Sequence, residues 1–408
     1  HIYLHHPPGG GVMPARKFIR DPIHGDIFIT EREFEAIDTP EFQRLRRIKQ
    51  LGMAFMVYPS ANHTRFEHSL GALHLAGRIA DRLGLEEGER RDVRLAALLH
   101  DMGHGPLSHT SEELLGRYLG LSHEEVAEGM LNTPRLAGIL EAAGADPLKV
   151  GRIIAGGEGY LGKVVNGEFD VDRMDYLVRD SHHTGVAYGI IDLDRIINTL
   201  EVSGSTLAVG ERGLRAVEGL LVARFLMTPT VYLHHTSRIA DVMFLRATEK
   251  AIWEGRLDYK ALCEMDDYDL QNIFRAADGY VGEIGARFDD RRLFKKALGQ
   301  DWPSLGEELR EDVIGLREDV KRWRAMEDRM ASDVGLEPGY VLVDIPSLPE
   351  YEEMEALILR EGGLVDIEEA SPLVKILREA QLSQWGLGVY TTKERLEDVS
   401  KLHLNDYF

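Results

Sequence analysis

The stretch LLHDMGHGPLSH, residues 98–109, carries the reading on which the fold turns. Arg91 to Met102 (RDVRLAALLHDM) has the apolar content of a short buried helix, with His100 and Asp101 near its end. Gly103, Gly105 and Pro106 remove helical preference, so the helix is expected to stop there. Adjacent side chains on a helix point about 100° apart. A metal lying between those directions can take a nitrogen from His100 and an oxygen from Asp101. The glycines that follow let backbone approach a ligand closely. Taken alone, a His-Asp pair also fits a surface or capping pair.

Two flanking segments narrow the choice. Upstream, HTRFEHSLG (63–71) places His68 at the start of a helix. Downstream, FDVDRMDYLVRD (169–180) places Asp170, Asp172, Asp175 and Asp180 on and around another helix, with Asp172 and Asp175 sharing a face. His68, His100, Asp101 and Asp172 therefore offer two imidazoles and two carboxylates from three helices. This mixed set suits Mn, Fe, Zn or Ni better than Mg, which prefers oxygen ligands and water; Mg remains possible with substrate phosphates. Four protein ligands on an octahedral ion leave two positions open, as metal-assisted hydrolysis requires.

Around these segments the chain reads as mainly α. Helical stripes cover Glu41 to Gln50, Glu67 to Leu83, His123 to Leu131, Val171 to Ser181, and Leu214 to Trp253 with a break at Pro229. Strand-like runs are few: TLAVG (206–210), Tyr340 to Ile345, Gly363 to Ile367 and Gly386 to Thr391. The expected organisation is a helical core over residues 14–320 and a smaller mixed α+β lobe over 321–408. Residues 1–13, HIYLHHPPGGGVM, read as a cloning remnant ahead of a natural start at Met13, which sets His1, His5 and His6 aside.

Composition bounds the function. The 408 residues are long enough for more than one lobe, and the single cysteine, Cys263, rules out an intramolecular disulfide. No apolar run approaches the roughly 20 residues of a membrane span, and a cytoplasmic address is the expectation. The formal charge of −21 argues against general nucleic-acid binding. A small anionic ligand needs only a local basic cluster, and Arg44, Arg46, Arg47 and Lys49 supply one.

The ordered pattern H…HD…D, within DPIHGDI, DTPEFQRLRRIKQLG, HTRFEHSLG, LLHDMGHGPLSH, SHEE and DVDRMDYLVRDSHHTG, resembles the HD superfamily of phosphohydrolases. The resemblance is closest to the SAM-and-HD-domain deoxynucleoside triphosphate triphosphohydrolases, as a prokaryotic relative lacking the SAM domain. It runs from Asp21 to about Gly185 and resumes around Arg224 to Tyr232. It implies an HD-domain helical core with the metal at its centre, and hydrolysis of deoxynucleoside triphosphates to deoxynucleoside and inorganic triphosphate.

The resemblance also implies roles for residues around the metal. Arg65, Arg173 and Arg224 fall where the family contacts phosphates, although the family usually has Lys in place of Arg173. Histidine suits proton donation near neutrality, and His104, His109 and His123 are the candidates. By resemblance His109 is the general acid to the leaving oxygen, and Glu112 or Glu124 orients an imidazole. His123 reads equally as a helix cap. Gln50 and Asp180 match residues that hydrogen-bond the ribose 3′ hydroxyl. Leu51, Tyr176 and Tyr232 match residues that crowd the ribose against a 2′ hydroxyl.

Lys17, Asp38, Gln43 and Arg46 match positions where larger family members bind a guanine nucleotide as activator, and only Arg195 and Arg212 resemble a second such position. The same helix also fits a core element with an Asp cap and a solvated basic face. The activator reading implies GTP or dGTP stimulation and a homo-oligomer, a tetramer or dimer. Two alternatives stay open: an HD phosphohydrolase of monophosphates or cyclic nucleotides, and a nucleotide-sensing regulatory protein.

Overall fold

The computed structural model describes residues 17–348 and 356–408; the presumed remnant and Met13 lie outside the described residues. Among the described residues the fold is mainly helical, with short strands gathered in three small sheets. The helices Arg65–Leu83 and Glu87–Leu99 pack against each other at its heart. Gly84, in the left-handed region at φ 64°, stops the first; a capping box of Glu86 and Glu89 starts the second. Every residue from Asp92 to Leu99 is buried, so the C-terminal two turns of this helix present no solvated face.

Its end is tighter than the sequence suggests. The α-helix stops at Leu99, and His100–Gly103 form a 3₁₀ turn rather than a continuation to Met102. The helix expected over Glu41 to Gln50 is also broken. Pro40–Gln43 are α-helical and Arg44–Arg47 are 3₁₀; Ile48 is then extended. Long-range pairing wins over helical periodicity there: Arg65 N donates to Ile48 O at 3.0 Å and Gln50 N to His63 O at 3.0 Å.

The downstream helix runs Val171–Thr184, with the Asp170 side chain capping Arg173 N and Gly185 closing it. It packs on Arg65–Leu83 across Gly71, where an added Cβ would lie 1.9 Å from Asp175 Oδ1. Gly103 is equally constrained: its Cβ would lie 1.9 Å from His123 O. Leu214–Met227 and His235–Trp253 are separate helices around a π-helical turn, Thr228–Tyr232, which contains Pro229.

Strands β1 (Lys17–Asp21) and β2 (Gly25–Ile29) form a hairpin. β3 (Leu200–Ser203), β4 (Thr206–Gly210), β7 (Leu357–Arg360) and β8 (Gly363–Asp366) make a sheet ordered β3-β4-β7-β8, in which β4 and β7 are parallel. β5 (Lys295–Asp301), β6 (Val341–Asp344) and β9 (Gly386–Thr391) are antiparallel in the order β5-β9-β6. Hairpin β1–β2 and strands β3, β5 and β7 lie outside the strand-like runs expected from the sequence.

The described chain falls into two compact units. One holds residues 17–227, Tyr259–Tyr268 and 356–374; the other holds Thr228–Asp258, 269–348 and Lys375–Phe408. This differs from a boundary near residue 320. Pairing of β7 with β4 returns a late segment to the first unit, while the helices His235–Trp253 and Val320–Asp333 pack on β6 in the second. The second unit has its own core, including Trp323, Met330, Val341, Trp385 and Val389. Its indole N–H groups are satisfied: Trp323 donates to Val343 O at 3.2 Å and Trp385 to Pro346 O at 2.9 Å.

Candidate metal centre

The helix Arg65–Leu83 and the His100–Gly103 turn bring His68, His100 and Asp101 together, with one ligand atom of each within 4.8 Å of the others. All three are buried. Asp172, half-exposed, joins them: its Oδ1 stands 2.9 Å from His68 Nε2 and 3.7 Å from His100 Nε2. Asp101 lies 3.6 Å from the first nitrogen and 3.4 Å from the second.

The hydrogen bonds of these residues test whether they fit a cation. His100 Nδ1 donates to Ala97 O at 2.8 Å, and His68 Nδ1 donates to Asp175 Oδ2 at 2.9 Å. Both rings therefore turn Nε2 toward the carboxylates, and both Nε2 atoms are buried without a well-formed hydrogen bond. Buried nitrogen lone pairs facing two carboxylates at these distances form a donor set of the kind divalent transition metals take. The electrostatics agree. Burial disfavours a charged His68, but the neighbouring carboxylates of Asp172 and Asp175 prevail and push its pKa up to about 10. Burial likewise works against Asp101, yet Arg65 and His100 hold its carboxyl well below the usual range. The pocket attracts positive charge.

Asp175, which the sequence placed beside Asp172 without a role, is the hub behind the candidate ligands. Its buried carboxylate accepts from His68, from His24 Nε2 at 2.6 Å, and from Arg179 Nε at 2.8 Å. Arg179 reaches on to Asp21 Oδ2 at 2.9 Å. The Asp21 and His24 of DPIHGDI thus belong to the support of the metal helices. The available signal was the three-residue step from Asp172 to Asp175, which puts both on one helical face.

The basic cluster expected at Arg44 to Lys49 is largely structural. Arg44 is buried and donates to Met102 O at 2.7 Å, His104 O at 2.9 Å and Met265 O at 2.6 Å. Burial lowers its pKa to about 10, and it ties down the HD turn. Arg47 pairs with Asp266.

The candidate catalytic residues flank the metal set. His104 Nε2 is 3.3 Å from Asp101 Oδ1, and its ring stacks on His123 at 4.0 Å between centroids. His123 Nδ1 pairs with Glu112, and its Nε2 is 3.3 Å from Glu124. Burial, with Arg65 and His123 beside it, holds His104 well below the usual imidazole range. Burial opposes charge on His123 too, but Glu112 raises it. His109 opens the His109–Leu119 helix; its side chain lies outside the described residues. The turn before it is strained: Leu107 and Ser108 have φ of 55° and 54°, a region costing ordinary residues about 1–3 kcal/mol each.

Among the phosphate candidates, Arg65 is buried, donates to Ser108 Oγ at 2.7 Å and faces Asp101 Oδ2 at 2.8 Å; its Nη2 makes no hydrogen bond. Arg173 is bound to the Gly167 carbonyl and to Asp170 Oδ2. Arg224 is half-buried on Leu214–Met227, within electrostatic reach of Tyr176, whose hydroxyl burial pushes up to about 12.

Among the sugar candidates, Gln50 and Asp180 are linked through His63. Gln50 N bonds to His63 O, and His63 Nε2 meets Asp180 Oδ1 at 2.7 Å. The Gln50 Oε1 and His63 Nδ1 atoms are buried and make no hydrogen bond. Leu51 is half-buried one residue on, and Tyr232 belongs to the second unit.

Of the activator candidates, Asp38 is exposed. Lys17 sits over the Phe34 ring at 3.9 Å, and Arg46 over Phe66 at 3.5 Å. Gln43 accepts from Arg46 Nε at 2.8 Å. Arg195 and Arg212 are both exposed. Among the described residues, no single helix is long and apolar enough to cross a membrane.

Comparison with known proteins agrees with this geometry. Residues 65–155 match the HD domain and residues 191–408 the HD associated region. Protein MJ1154 of Methanocaldococcus jannaschii is 39% identical, over 96% of this chain and 82% of that protein. The human deoxynucleoside triphosphate triphosphohydrolase SAMHD1 is 30% identical, over 82% of this chain and 62% of that protein. A crystal structure of a protein from Aquifex aeolicus superposes with a TM-score of 0.76 at 32% identity, over 94% of this chain and 99% of that one. A phosphohydrolase structure from Bacteroides thetaiotaomicron gives 0.73 at 26% identity, over 93% and 100%.

Proposed function

Because this chain belongs to the HD-domain phosphohydrolase family that carries an HD associated region, we propose that it hydrolyses deoxynucleoside triphosphates to deoxynucleoside and inorganic triphosphate. The observation that carries the reading is the convergence of His68 and His100 Nε2 with Asp101 in a buried, cation-seeking pocket. These three residues, with Asp172, hold a divalent ion, of the Mn, Fe, Zn or Ni type. When bound, the ion supplies Lewis-acid charge for a phosphoryl oxygen and lowers the pKa of water.

The remaining work falls to the chain itself. Arg65, anchored through Ser108 and Asp101, directs its buried Nη2–H at a phosphate oxygen. Arg173 and Arg224 add charge around the triphosphate. His109 donates a proton to the leaving 5′ oxygen. His104, stacked on His123, supports it, while Glu112 and Glu124 fix the His123 ring. Gln50 and Asp180 hydrogen-bond the ribose 3′ hydroxyl, and Leu51 and Tyr176 crowd the 2′ position, which penalises ribonucleotides.

A guanine nucleotide, GTP or dGTP, binds at Lys17, Asp38, Gln43 and Arg46 and favours a homo-oligomer, a tetramer or dimer. Asp38 accepts from guanine N–H donors, while Lys17 and Arg46 hold phosphates.

The test is product analysis by chromatography, with purified protein, Mn and a panel of nucleoside mono-, di- and triphosphates and cyclic nucleotides. Deoxynucleoside plus triphosphate is the expected product pair. Release of monophosphate and pyrophosphate, activity confined to monophosphates or cyclic nucleotides, or no turnover at all would each reject it.

A further inference from the structure

We infer that Asp267 is a positioning residue that clamps the strained Leu107–Ser108 turn, and with it the start of the His109–Leu119 helix, to the Lys49–Gln50 segment. Two adjacent non-glycine residues with positive φ do not keep that shape unaided. The contacts that hold them converge on one residue, Lys49, through the two peptide groups that flank its Cα. Asp267 Oδ1 accepts from Leu107 N at 2.7 Å, and its Oδ2 accepts from Lys49 N at 2.9 Å. On the other side of the same residue, Ser108 Oγ donates to Lys49 O at 2.6 Å. Ser108 Oγ in turn accepts from Arg65 Nε, and Arg65 faces Asp101. One carboxylate thus closes a loop running from Lys49 through Leu107–Ser108 and Arg65 to a metal-set residue.

The residues before Asp267 act alongside it. Met265 O accepts from Arg44, and Asp266 pairs with Arg47. Residues 265–267 form a strap across the 44–49 segment; they lie in Tyr259–Tyr268, which groups with the first compact unit although the chain before and after it groups with the second. The consequence is a fixed distance between the proposed sugar contact, Gln50, and the turn that presents His109. A carboxylate is the group that does this, because its two oxygens accept two N–H bonds at once. An amide of the same shape accepts only with its single oxygen.

The experiment compares the full-length wild type with Asp267→Asn and Asp267→Ala by amide hydrogen exchange. In both variants exchange in the peptides covering Leu107–Ser108 and Lys49–Gln50 rises by ~10-fold or more, while the Leu70–Ile79 helix keeps wild-type protection. Unaltered exchange in those two peptides in a folded variant overturns the proposal; if the Ala variant does not fold, the Asn variant decides. A further arm, which alone rests on the hydrolysis proposed above, reads kinetics. Asp267→Asn lowers kcat by ~10-fold with KM little changed. Adding Leu107→Gly, which adopts positive φ without restraint, recovers part of the loss. An active wild type with unchanged kcat in Asp267→Asn also overturns the proposal. A wild type inactive on every nucleotide rejects the hydrolysis instead, and the exchange result then decides the clamp.

Discussion

His68 and Asp175 stand 2.9 Å apart, Nδ1 to Oδ2, with both side chains wholly buried, and this pair aims the other imidazole nitrogen at Asp101 and Asp172. A carboxylate behind a ligating histidine fixes its tautomer and raises its basicity. Asp175→Asn is therefore expected to weaken metal binding by about 10–100-fold. Calorimetric titration of metal-stripped protein with Mn checks this. An unchanged affinity would mean that Asp175 serves only Arg179 and His24.

Asp101→Ala removes a proposed ligand together with the ion-pair partner of Arg65. Loss of hydrolysis and lower metal content after purification are expected, the latter read by elemental analysis. Full turnover at full occupancy in this variant would sink the metal assignment.

Leu51→Gly opens the space beside the proposed ribose contacts. The ratio of kcat/KM for a deoxynucleotide over its ribonucleotide is expected to fall by ~10-fold or more, by the magnitude of pocket discrimination. Competing substrates assayed together give the ratio directly. A wild type with no preference for the deoxy sugar removes this gate.

The proposed activation by guanine nucleotide would have a structural precondition. Arg46 is held by Gln43 and lies on Phe66, so a bound phosphate must draw it from that rest position. GTP or dGTP is expected to raise the rate on other deoxynucleotides and the mass in light scattering, and Asp38→Ala to abolish both. If neither nucleotide changes rate or mass in the wild type, the protein is unregulated at this position.

His74 gives a pH prediction away from the metal ligands. Burial, then the charges of His24, Arg78 and Arg94, lowers its pKa from 6.5 to about 4. Between those values the unfolded chain binds more protons than the folded one, so stability rises with pH across the window. Above 6.5 His74 is neutral in both states and exerts no penalty; the penalty on the folded state grows as pH falls from 6.5 to about 4 and levels off below that. Urea midpoints from pH 4 to 7 should show a shallower slope in His74→Gln than in the wild type. Equal slopes would place the titration elsewhere.

The amino-acid sequence alone determined the local parts of this protein. Helical periodicity, the Gly-Pro run after Asp101 and the order of histidines and aspartates announce a mainly helical fold with candidate ligands on separate segments. The Pro229 break and the strands at 206–210 and 386–391 are equally local, and all stand in the structure. Partners of buried charges are a different matter, because no short-range pattern specifies which distant segments will meet. Asp175 finds His68 across 107 residues, and Asp267 finds Leu107 across 160 and Lys49 across 218. Arg44, which reads as part of a basic surface, turns inward because the HD turn presents carbonyls that need donors. The broken helix at Ile48 and the return of β7 to β4 have the same origin: backbone groups took partners supplied by remote chain, and only the assembled structure decides which.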